Sequence, residues 1–109
     1  MVRSGDVITA RLLGAVKAKR RPAVVISTDT YHATRPDIIV GELTTQVAQA
    51  VAPTDYVLQD WSVAGLHQPS AFRVYLHTIQ ASHAALIGHL SDRDWQEVRT
   101  RLRLGLAVT

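Results

Sequence analysis

The 109 residues predict a mainly β fold with one α element: a small β-barrel or twisted antiparallel sheet carrying a C-terminal helix. Three observations predict it. Short runs rich in β-branched residues recur between turn-like segments. One of them, Ala23-Val24-Val25-Ile26-Ser27, is almost continuously apolar, as in a strand buried on both faces. Apolar side chains at helical spacing gather at the C-terminal end, where Trp95, Val98, Leu102 and Leu106 make one face.

The elements follow in order. Gly5-Asp6 turns the chain into Val7-Ile8-Thr9-Ala10-Arg11-Leu12, a first strand, and residues 13–20 read as a loop. Pro22 opens the second strand, because a proline is tolerated at a strand's first residue and not in its middle. Residues 28–36 are polar and turn-like. Ile38-Ile39-Val40-Gly41-Glu42-Leu43-Thr44 is a third strand, residues 48–54 are a loop, and Tyr56-Val57-Leu58 is a short strand. Asp60 is placed to cap one helical turn over residues 61–64, closed by Gly65. Ala71-Phe72-Arg73-Val74-Tyr75-Leu76 is a further strand, and Ala85-Leu86-Ile87-Gly88-His89-Leu90 a last short one. Ser91 is the N-cap of the final helix, with Asp94 in the position of a capping box. Asp92, Asp94 and Glu97 precede Arg99, Arg101 and Arg103, a polarity that suits the helix dipole.

Length favours a single domain over residues 1–109. Apolar residues are 47% and charged residues 19%, which excludes a disordered chain. Without cysteine there is neither disulfide nor thiolate metal site, and a reducing, cytoplasmic compartment fits. No apolar run approaches the ~18 residues of a membrane helix, and MVRSGDVITA does not read as a signal peptide. The net charge of +3 is concentrated. With Lys17, Lys19, Arg20 and Arg21 set aside, eight cations face nine acids. Such a patch fits a polyanion partner such as nucleic acid, or else a solvated loop. The second basic group, Arg93, Arg99, Arg101 and Arg103, reads as the solvated face of the last helix.

Four pieces of the chain, in order, resemble the MazF/PemK family of toxin endoribonucleases. Gly5-Asp6-Val7 is similar to its opening G-D-[IV], and Arg21-Pro22-Ala23-Val24-Val25-Ile26-Ser27-Thr28-Asp29 to its Arg-Pro strand. Val40-Gly41-Glu42-Leu43-Thr44-Thr45-Gln46 is similar to its strand ending in [IL]-T-[SA]-[QN], and residues 86–92 to its closing I-G-x-L-S-D/E. The resemblance implies an SH3-like barrel with a C-terminal helix, a homodimer, single-stranded RNA as substrate and a cognate antitoxin as protein partner. It implies metal-independent cleavage, in which the ribose 2′-OH attacks the adjacent phosphate and leaves a cyclic phosphate and a 5′-OH. Arg21 matches the family's catalytic arginine, whose planar fork can hold two phosphate oxygens. Thr44 matches the strand-end threonine, whose hydroxyl can bond a phosphate oxygen. Thr45 and Gln46, which follow it, are expected to contact RNA.

Two departures stand out. The first loop lacks the family's Gly-Ser-Glu-Gln type segment. Lys17, Lys19 and Arg20 stand there and can serve as less specific phosphate contacts. Where the family often has an acid and a glutamine, this chain has His77-Thr78. Histidine titrates near neutrality, so His77 can take the acid–base place, or the site is weakened. His77, His83 and His89 recur every six residues, which is no usual ligand spacing, so neither metal nor other cofactor is expected. Trp61, placed in a loop, is the aromatic available to stack on a base, whereas Trp95 and Phe72 read as core. Two other readings stay open: an interaction protein like the gyrase-binding toxin CcdB, which shares the barrel, and a relative that binds RNA or antitoxin without cutting.

Overall fold

The two most β-branched runs become the central pair of a six-stranded antiparallel sheet. In the computed structural model, which describes residues 1–13 and 17–108, the strands are β1 (Asp6–Leu13), β2 (Ala18–Val25), β3 (Asp37–Thr44), β4 (Tyr56–Val57), β5 (Ala71–Gln80) and β6 (Ala85–His89). Their spatial order is β4-β5-β3-β2-β1-β6. A six-residue helix, α1 (Asp29–Thr34), joins β2 to β3, and α2 (Asp92–Gly105) ends the fold.

The connection between β5 and β6 requires the sheet to curl. These strands stand four spacings apart, roughly 19 Å at ~4.8 Å each. Residues 81–84 join them, and Ala81–His83 form a 3-10 turn that rises only ~2 Å per residue. A flat sheet would leave that link far too short, so the sheet wraps into a half-barrel.

Strand alternation then sorts the core in two. On one face Val7, Val24, Leu43, Tyr56 and Phe72 pack against Val98 of α2, with Trp61, Trp95 and Leu102 half-buried beside them. On the other, Ile8, Ala10, Leu12, Ala23, Val25, Ile38 and Val40 are buried with Val2, Ile79, Ala81 and Ala84. That second face has no long helix across it; the curl itself covers it.

Four expectations are corrected. Residues 18–22 are strand, not loop, so Lys19, Arg20 and Arg21 lie on β2, and Pro22 sits inside the strand opposite Thr9. Residues 14–16 of the expected loop fall outside the described residues. The proline is tolerated because backbone groups alternate sides. Ile26 N donates to Ile39 O across β2 and β3, so Pro22, four residues earlier, turns its ring nitrogen the same way. The β2–β3 pairing starts only at Ala23↔Glu42, and Pro22 therefore faces an open edge. Within residues 28–36 lies α1, capped by Thr28 Oγ1, which accepts from Tyr31 N. Asp60 does not cap the turn after it: its carboxylate accepts from Ser91 Oγ and, bidentately, from Arg93. Leu106 falls just beyond α2 and is exposed, so the apolar face ends at Leu102.

Ser91 caps α2 as expected, its Oγ accepting from Asp94 N at 3.3 Å. The reciprocal half of the capping box is absent. Asp94 is fully buried and turns its carboxylate to Tyr56 OH (2.7 Å), Gln59 N (3.0 Å) and Asp60 N (2.8 Å). One side chain thus ties the helix start to β4 and to the loop after it. Burial and then the bond to Asp94 push the Tyr56 phenol up to about 12. Bonds from Arg93 and then Ser91 hold Asp60 down at about 2.

Candidate functional site

Side chains two apart on a strand share a face, so the buried residues locate their polar neighbours. Arg21 shares the face of Ala23 and Val25, Glu42 that of Ile38 and Val40, and His77 that of Ile79. Three polar residues on three adjacent strands therefore converge at the end of the helix-free core. Arg21 Nη1 donates to Glu42 Oε1 at 3.3 Å, and His77 Nε2 stands 3.5 Å from Glu42 Oε2. All three side chains are largely buried yet reach solvent, with Glu42 at 15% exposure the deepest.

The unused edge of Arg21 carries the chemical meaning. Glu42 takes Nη1, while Nε is buried with no hydrogen-bond partner among the described residues. A buried donor without an acceptor is costly and uncommon. Nε and Nη2 together form the side-on fork that fits two oxygens of a phosphate. His77 donates Nε2–H toward Glu42 on this network, which leaves Nδ1 as a proton acceptor.

Thr44 ends β3 on the same face, two residues beyond Glu42. Its Oγ1 accepts from Gln46 N at 3.2 Å, so the hydroxyl proton is left to donate outward. Thr45 and Gln46 are exposed beside it. Lys17, Lys19 and Arg20, which precede Arg21 in the chain, are exposed, and Arg20 points to the other face, its Nη2 donating to Thr9 O at 3.3 Å. Trp61 is half-buried against the core under α2, on the other face from Arg21, so the structure does not bring it together with the three. His89 is occupied elsewhere, its Nδ1 2.8 Å from Asp6 Oδ1. Among the described residues no three histidine or carboxylate side chains converge as a metal site, and no helix is long and apolar enough to cross a membrane.

Glu42 is the site residue that reading by residue type did not single out. Its signal was present: an acid in the middle of Ile39-Val40-Gly41-Glu42-Leu43, where a strand otherwise excludes charge. The ladder between β3 and β5 shifts register between Gly41 and Leu43, at the position of Glu42.

The same fold recurs in solved structures. An endoribonuclease in complex with its cognate antitoxin, from a mycobacterial species, superposes with a TM-score of 0.77 at 17% identity, all of each chain being covered. The Mycobacterium tuberculosis toxin MazF-mt6 gives 0.76 at 21% identity over 95% of this chain and 98% of its own. A MazE–MazF structure from Deinococcus radiodurans gives 0.71 at 17% identity over 99% and 97%. None of the curated proteins compared matches the sequence. The family model that describes PemK-like, MazF-like toxins of type II toxin–antitoxin systems matches residues 3–106, and with nearly its whole length inside that match the chain belongs to this family.

Proposed function

We propose that this protein is a metal-independent endoribonuclease acting on single-stranded RNA, and that Arg21, Glu42, His77 and Thr44 form its active site. The observation that carries the reading is the chain Arg21–Glu42–His77, with the Nε edge of Arg21 left unpartnered. A phosphodiester on that edge satisfies the buried donor and places its phosphorus beside an acid–base pair. His77 Nδ1 takes the proton of the ribose 2′-OH. The 2′ oxygen bonds to phosphorus, the bond from phosphorus to the 5′ oxygen breaks, and the departing oxygen takes a proton from water. The products are a 2′,3′-cyclic phosphate and a 5′-OH. Glu42 holds His77 in the correct tautomer and stabilises the imidazolium. Arg21 and the Thr44 hydroxyl neutralise the charge that grows on the equatorial oxygens, the kind of preorganised term that usually contributes most to a rate. The 3.5 Å between His77 and Glu42 is long, as catalytic contacts often are before substrate closes them.

The solved neighbours bound to antitoxin support a protein partner of the same kind, and a homodimer accords with the family reading. The test is incubation with a long single-stranded RNA in EDTA, wild type against Arg21→Ala. The expected result is cleavage with cyclic-phosphate ends and a loss of about 10²–10³-fold in the variant, the usual cost of one such donor. RNA left intact at every salt concentration would leave a non-cleaving toxin instead. A gyrase supercoiling assay then separates the CcdB-like alternative.

A further inference from the structure

A groove of about 580 Å³ is lined by Arg11, Arg20, Thr78, Ile79, Gln80 and His83. It forms where the curl brings the β1–β2 hairpin round to the end of β5 and the turn after it. Arg20 precedes Arg21 on β2 and Thr78 follows His77 on β5, so these two lining side chains point to the opposite face of the sheet from the site.

Its charges are unbalanced. Arg11 and Arg20 stand directly opposite each other in the β1–β2 ladder. Like charges at such positions repel and destabilise a sheet. No acid lines the groove, and among the described residues no carboxylate pairs with either arginine. Arg20 bonds only a backbone carbonyl, that of Thr9. The other polar groups, the Thr78 hydroxyl, the Gln80 amide and the His83 ring, all offer hydrogen-bond donors.

We propose that this groove binds a backbone phosphate of single-stranded RNA, a different one from that held at Arg21 on the other face of the sheet. A phosphodiester has acceptors alone and carries the charge the two arginines lack, so it matches a wall made of donors. An acidic antitoxin segment fits less well. Its carboxylates would come with apolar side chains, and among the described residues Ile79 is the one apolar side chain lining the groove. An RNA passing round the edge of β2 that stays open before Ala23 meets the site on one face and the groove on the other. The inference rests on RNA being the ligand and not on its being cut.

The test uses a labelled single-stranded RNA with 2′-O-methyl riboses, which cannot be cleaved, and fluorescence anisotropy across a salt series. Wild type is compared with Arg11→Gln and with Arg11→Gln combined with His83→Gln. The expected result is an affinity at least ~10-fold weaker at low salt. The slope of log K against log salt should be shallower by ~0.7 for the lost phosphate contact, equally for RNAs of different sequence. Relief of the repulsion should also leave the melting temperature of Arg11→Gln equal to or above that of wild type, which excludes misfolding as the cause. Unchanged affinity and slope overturn the proposal. Weakened binding of an acidic antitoxin peptide with RNA binding intact overturns it as well. Wild-type protein that binds the methylated RNA with full slope but leaves ordinary RNA intact removes the nuclease reading and keeps the groove.

Discussion

Glu42 Oε2 lies 3.5 Å from His77 Nε2, across two strands and 35 positions of sequence, while its other oxygen takes Nη1 of Arg21. One carboxylate thus bridges the guanidinium and the imidazole of the proposed site. Removing its charge should separate the two functions. In Glu42→Gln the amide oxygen can still accept from Arg21, but an imidazolium at position 77 loses its counter-charge. The expected outcome is a fall of about 10²-fold in single-turnover cleavage, with RNA affinity equal to or above wild type. Full activity in Glu42→Gln would show that His77 works without it.

His77 should be needed for proton transfer and not for binding. His77→Asn is expected to lower the cleavage rate by about 10²–10⁴-fold, the usual range for a general acid or base. A base must be neutral to accept a proton, so the wild-type rate should fall towards acid pH. A pH–rate profile for His77→Asn that keeps the same acid limb would assign that limb to another group.

Asp94 should matter for stability alone. It is fully buried and receives Tyr56 OH and the backbone N–H groups of Gln59 and Asp60. Asp94→Ala strands those donors in the interior, which should cost on the order of 3 kcal/mol in urea unfolding. Residual folded protein should still bind RNA, because α2 lies on the face away from Arg21.

Two of the shifted groups at this junction, Asp60 and Tyr56, predict opposite ends of the pH curve. The Asp60 carboxyl is held at about 2 by Arg93 and Ser91, below its unfolded value of 3.8. Its contribution is therefore complete above pH ~4 and disappears as pH falls towards 2. The Tyr56 phenol is raised to about 12 from 10.0, chiefly by burial. Its contribution holds below pH ~10 and is lost as pH rises towards 12. Melting temperatures should show both edges. Asp60→Asn should flatten the acid edge and Tyr56→Phe the alkaline one, each leaving the other in place.

Local sequence determined a good deal. Runs of β-branched residues gave the strands their positions, because a pleated, buried surface selects those side chains. The Ser91 cap and the spacing of Trp95, Val98 and Leu102 marked α2. Arg21 and Thr44 stood out as candidates because the motifs that carry them lie within single segments. Other features depended on segments far apart in the chain. Pro22 reads as a strand start until the register shows which side of β2 is open. Asp60 reads as a cap until Ser91 and Arg93 arrive from 31 and 33 residues away. The loop at Gly65 and strand β6 approach so closely that a Cβ at Gly88 would strike the Ala64 carbonyl, and no local pattern reveals such a contact.

By itself, then, the sequence decided which segments are strands, where the helix begins and which arginine follows the family pattern, since propensity, capping and periodicity act within a few residues. The tertiary structure decided that Arg21, Glu42 and His77 meet, that Trp61 turns to the core and that Arg11 faces Arg20. Those are consequences of curl and register, which arise only when a link too short for a flat sheet forces β5 and β6 together.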